Sequence, residues 1–110
     1  RRVLFRSRDS ISKELSTISH DGKSYAKIMF VVGKSSGKFD AVNQLSQKLS
    51  DLANATVPKI SRGVYVKKSH YNQGISDNMV LIEVGAQSNT KEEVQATVEI
   101  IAKAIGEYLG

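Results

Sequence analysis

Residues 79–89, MVLIEVGAQSN, place the strongest limit on the fold of this chain. Met79, Val80, Leu81 and Ile82 form an unbroken apolar run, the pattern of a strand buried on both faces and common in parallel sheets. Glu83 follows at once, and Gly85 marks a turn soon after. In open α/β sheets the crevice at the carboxyl ends of the strands holds the ligand, so this position makes Glu83 a candidate site residue. A carboxylate partly withdrawn from water there suits general acid/base work near neutral pH. The competing reading is an ordinary solvated strand-end glutamate.

A second continuous run, residues 27–33 (KIMFVVG), predicts a partner strand. The segment behind it, Gly33-Lys34-Ser35-Ser36-Gly37-Lys38, invites comparison with a phosphate-binding loop and fails it. Only three residues separate the glycines, and Phe39 stands where Ser or Thr is required. It reads as a strand-to-helix connection. Val42, Leu45, Leu49 and Leu52 then recur at helical spacing over 40–54, with Gln44 and Lys48 opposite and Pro58 as a stop signal. Val64, Tyr65 and Val66 predict a short third strand entered through Ser61, Arg62 and Gly63, and His70 to Gly74 a polar loop beyond it. Thr90 and Glu93 stand in capping-box register before a final helix whose apolar stripe is Val94, Val98, Ile101, Ile105 and Leu109.

Ahead of these elements, residues 8–15 read as a loop or short helix. Asp21-Gly22 within 17–26 fits the central pair of a type I′ turn, and so a small hairpin. His20 beside that turn reads as a solvated histidine, because no second ligand stands at metal-binding spacing. Strand, helix, strand, strand, helix in this order predicts an α/β fold with a largely parallel sheet flanked by helices.

Composition narrows the function. The chain has 110 residues, 40% hydrophobic and 25% charged, which is ordinary for one globular domain. It contains no cysteine, which removes disulfides, thiolate metal sites and cysteine nucleophiles. The net charge of +5 owes much to residues 1–7, RRVLFRS. One back-translation, AGA CGT GTG CTC TTC CGA TCT, resembles the tail of a sequencing-library adapter, so 1–7 are read as an artefact joined to a domain piece at 8–110. Without Arg1, Arg2 and Arg6 the balance is 13 basic to 11 acidic residues, and nucleic acid is not an expected partner.

Several segments together resemble one family. Arg8-Asp9-Ser10, residues 22–33 (GKSYAKIMFVVG), residues 60–64 (ISRGV), Tyr71-Asn72-Gln73, LIEVG at 81–85, and Asn89-Thr90 with Glu92-Glu93 stand in the order and spacing of the stage II sporulation protein P family. The likeness runs from residue 8 to 110 and is to the carboxyl-terminal half of the catalytic domain, so an amidase-like, N-terminally truncated domain is implied. The family belongs with zinc-dependent N-acetylmuramoyl-L-alanine amidases, which cut the bond between the muramic lactyl group and the first L-alanine of the stem peptide. The resemblance implies that Glu83 is the catalytic proton-transfer residue, and that Arg62 and Asn72 contact substrate. It implies Zn2+ as cofactor, held by two histidines and a glutamate. One of these histidines would directly precede Arg8, where this chain has Ser7, and the others would lie further upstream. No metal ligand is therefore assigned in the chain, which is expected to be inactive alone. His70 is a poor substitute, since three ligands must converge. Peptidoglycan and a lytic transglycosylase are the implied partners. The implied location is outside the cytoplasm of a sporulating bacterium, tethered to the membrane by an upstream segment. The alternative is a non-catalytic amidase-like domain that binds wall peptide or a protein.

Overall fold

The computed structural model describes residues 2–8, 13–33, 39–67 and 79–110. Their elements are β1 (Arg2–Arg8), α1 (Lys13–Ser16), β2 (Thr17–His20), β3 (Lys23–Ala26), β4 (Ile28–Gly33), α2 (Phe39–Thr56), β5 (Ser61–Lys67), β6 (Met79–Ala86) and α3 (Lys91–Leu109). A four-stranded sheet has the order β1-β6-β4-β5, and β2 and β3 form a separate hairpin.

The expectation of a largely parallel sheet is corrected. β1 runs parallel to β6, and β4 parallel to β5, but the central pair β4 and β6 is antiparallel. The reason lies in the connections. Between β4 and β5 the chain includes α2, long enough to return it to the starting end of the sheet for a parallel partner. Between β5 and β6 stand only residues 68–78. β6 begins at the end where β4 and β5 finish, with Val32 opposite Val80 and Gly33 opposite Lys67. An apolar run reports burial on both faces and carries no information on strand direction.

One face of the sheet bears Ile28, Phe30, Val32, Val80, Ile82 and Val84, and α2 and α3 pack against it with Val42, Leu45, Leu49, Ala53, Ala96, Ile101 and Ala104. Both long helices thus share this core rather than flanking the sheet on two sides. Truncating Phe30, 1% exposed at its centre, is expected to cost about 3–5 kcal/mol. The apolar stripe read for α2 is the buried one, and Gln44 and Lys48 are exposed. On α3 the stripe shifts. Glu93, Ala96, Thr97, Ile101 and Ala104 are the buried positions, whereas Val98 is 38% and Leu109 77% exposed. Small side chains win this face because they admit close approach of β3 and α2, shown by the 2.7 Å bond from Thr97 Oγ1 to the Ala26 carbonyl.

The hairpin forms as read, with Asp21 at φ 51° and Gly22 at φ 76°, both positive as a type I′ turn demands. The Lys27 N–H donating to the Ser16 carbonyl at 2.7 Å closes its open end, and Asn89 Nδ2 donating to Thr17 Oγ1 at 2.9 Å ties it to the domain. Residues 2–7, given no structural part by the sequence reading, supply most of edge strand β1.

Candidate functional site

Glu83 is the fifth residue of β6 and is 5% exposed. Its backbone stands between Arg6 of β1 and Met29 of β4. Strand alternation puts Val80, Ile82 and Val84 into the helix-covered core, so Glu83 points to the opposite face with Leu81. The sequence argument had placed Glu83 at the shared carboxyl edge of a parallel sheet. In the mixed sheet the carboxyl end of β6 is the amino end of β4, with Ile28 opposite Val84. What sets Glu83 apart is local geometry.

Two irregularities bracket its row. On β5, Ser61 pairs with Ile28 and Val64 with Phe30, so one extra residue is fitted at Arg62-Gly63, where Gly63 has φ 108°. On β6, Glu83 pairs with Arg6 and Ala86 with Arg8, leaving an extra residue at Val84-Gly85, where Gly85 has φ 63°. Bulges of this kind bend a strand and re-aim its side chains. The glycines are required by the positive φ angles, and at Gly85 by crowding too, since a Cβ would meet Ala26 Cβ at 2.9 Å as well as the Asn89 amide.

The result is a narrow cleft lined by Ser16, Lys27, Ile28, Met29, Arg62, Glu83 and Gly85. The space open to water centres is about 10 Å³, room for about one water molecule. Arg62 is exposed and Lys27 half-buried. Neither the Lys27 ammonium nor the Arg62 guanidinium has a hydrogen-bond or ion-pair partner among the described residues. Lys27 is fixed through its backbone, whose N–H meets Ser16 and whose carbonyl accepts from the Gly85 N–H at 2.7 Å. The structure therefore brings two of the sequence candidates, Glu83 and Arg62, to one cleft. Asn72 and His70 lie outside the described residues, as does the 34–38 stretch of the rejected phosphate loop.

The sequence reading missed Lys27. The signal was available: counting back by two from Met29 puts Lys27 on the Glu83 face. The two in-strand glycines could likewise have been read as bulges.

Behind Gly85 a polar network locks the turn into α3. Asn89 Oδ1 accepts from the Ala86 N–H at 2.7 Å, and Glu93 Oε1 accepts from the Thr90 N–H at 2.9 Å and Asn89 Nδ2 at 3.2 Å. The Glu93 N–H returns a bond to Thr90 Oγ1 at 3.1 Å, completing the capping box read from sequence. Among the described residues His20 meets Asp21 of its own turn, at 3.4 Å, with Asp21 88% exposed. No three His, Cys, Asp or Glu side chains cluster as a metal site among the described residues, so these residues do not fit a zinc ion. Ser7 stands where the resemblance puts a histidine ligand.

Residues 7–106 match the family model for stage II sporulation protein P (SpoIIP). The chain belongs to that family. It is also 36% identical over 105 residues to stage II sporulation protein P of Bacillus subtilis (strain 168), an alignment covering 91% of this chain and 26% of the relative. The chain thus spans about a quarter of the SpoIIP relative's length. No solved structure gives a significant match. Both bulges and all the cleft residues fall inside the SpoIIP match. Among the described residues no helix is long and apolar enough to cross a membrane.

Proposed function

We propose that this chain is the part of a sporulation peptidoglycan amidase that carries its proton-transfer carboxylate, Glu83. The observation behind this reading is a buried carboxylate in a bulge-bracketed cleft, with space for one water and an exposed Arg62 at its side. Membership of the SpoIIP family supports the sporulation role. In the proposed reaction, water attacks the carbonyl carbon of the muramoyl–L-alanine amide. Glu83 accepts the proton of that water as the carbon–oxygen bond forms. It then delivers the proton to the leaving nitrogen as the carbon–nitrogen bond breaks, leaving a free lactyl carboxyl group and a free alanine amine. Arg62 and Asn72 are proposed to hold the substrate, and the placement of Arg62 on β5 suits this task.

Zinc belongs to the proposal through the family resemblance alone. The described residues do not supply its ligands, so the role assigned to Glu83 is confined to the proton. Partnership with a lytic transglycosylase and an extracytoplasmic, membrane-associated location are proposed on the same footing.

The test is Glu83→Gln in the intact protein, with purified cell-wall sacculi as substrate and mass spectrometry of the released fragments. Unaltered protein should release stem peptides with a free L-alanine amine, and the variant should lose about 10²–10⁴-fold in rate. A variant within twofold of the unaltered protein would remove Glu83 from the chemistry. Wall binding without release by the unaltered protein would favour the non-catalytic alternative.

A further inference from the structure

From the cleft geometry we infer that Lys27 and Arg62 form a carboxylate-binding subsite at the mouth of the Glu83 cleft. Its ligand is an acidic group of the wall stem peptide. This rests on the peptidoglycan reading above and adds to it a residue, Lys27, and a chemical class.

Three observations carry the inference. Lys27, on the linker before β4, and Arg62, on β5, line one cleft, although 35 positions separate them in the chain. Neither cation is neutralised among the described residues. The placement of each is also built. Lys27 stands on the linker between β3 and β4, clamped by backbone bonds to Ser16 and Gly85, and Arg62 stands in the β5 bulge beside Gly63.

Among the described residues, two cations around one buried carboxylate leave an excess of positive charge at the mouth. The cleft admits about one water, so a ligand carboxylate sits over it rather than inside. There Arg62 can offer a planar, two-pronged donor and Lys27 a point charge. A substrate anchored by its acid group would present the neighbouring amide to Glu83. Anchoring of this kind affects binding more than the chemical step.

The experiment is NMR titration of the 110-residue chain, labelled with nitrogen-15. The probes are a muramoyl tripeptide with free carboxylates and the same compound with those carboxylates amidated. The acidic compound should shift the amides of Lys27, Arg62 and Gly85, and the amidated one should bind about tenfold more weakly. Lys27→Gln and Arg62→Gln should each weaken the acidic ligand by roughly threefold to tenfold, with unchanged thermal midpoints. Should Lys27→Gln not fold, the salt dependence of the unaltered chain decides. Binding should fall clearly between about 50 and 300 mM salt.

Equal binding of the two compounds, or no loss of affinity with salt, would overturn the subsite. So would shifts confined to other faces, or no binding of either compound. The wall-amidase reading is judged separately, by product release from sacculi and its dependence on Glu83.

Discussion

Ser24 Oγ donates to Glu93 Oε2 at 2.7 Å across 69 positions of sequence, joining the β2-β3 hairpin to the first turn of α3. Glu93 is 7% exposed and uses its other oxygen to cap the same helix. A single carboxylate therefore closes the helix start and anchors the hairpin that leads into Lys27.

Loss of Glu93 should consequently cost more than an ordinary cap. Glu93→Ala is expected to destabilise the chain by about 2–4 kcal/mol, since it strips the Thr90 N–H, Asn89 Nδ2 and Ser24 Oγ of a partner. Ser24→Ala should cost about 1 kcal/mol. Urea unfolding of both single variants and the double variant should show a coupling of about 0.5 kcal/mol or more. Strict additivity would mean that the bond contributes nothing to stability.

The two bulge glycines should respond differently to a methyl group. Gly63→Ala meets no atom within 4 Å, so only the positive φ opposes it, at about 1–3 kcal/mol. Gly85→Ala adds crowding against Asn89 and Ala26, and about 2–4 kcal/mol is expected. Thermal midpoints in the reverse order would show that the β6 bulge relaxes easily.

Thr97 has no solvent exposure and donates to the Ala26 carbonyl at 2.7 Å and the Glu93 carbonyl at 3.0 Å. Thr97→Val keeps the volume and removes the donor. About 1–2 kcal/mol should be lost in denaturant unfolding, and Thr97→Ser should recover most of the bonding. Equal losses in the two variants would assign the effect to packing instead.

Edge strand β1 pairs with β6 along Arg2–Arg8 and shields that side of the sheet. A chain lacking residues 1–7 is expected to melt at lower temperature and to associate as concentration rises, because the β6 edge then offers unpaired backbone groups. Sedimentation at several concentrations would show this. An unchanged midpoint and a monomer throughout would mean that these residues contribute nothing, as expected for an adapter remnant.

The 110-residue chain alone is expected to release no stem peptide from sacculi, with or without added zinc. Zinc-dependent release by it would overturn this expectation, since no metal-binding cluster stands among the described residues.

Much of this domain was legible in its sequence because the signals are local. Apolar periodicity identified α2, Asp21-Gly22 the hairpin, Thr90 with Glu93 the start of α3, and unbroken apolar runs β4 and β6. Each depends on residues a few positions apart, so a one-dimensional reading suffices. Glu83 and Arg62 could be named as candidates, but their meeting at one cleft could not. It depends on β4 standing between β5 and β6 in the sheet, and on an extra residue in β5 and another in β6 beside the Met29 row. Strand direction was misjudged because burial on two faces is the same for parallel and antiparallel neighbours. The Ser24–Glu93 bond and the inclusion of Lys27 were hidden for a related reason. Hydrogen bonds across 69 positions and cations brought together from distant segments arise only when the packed core has set the distances between those segments.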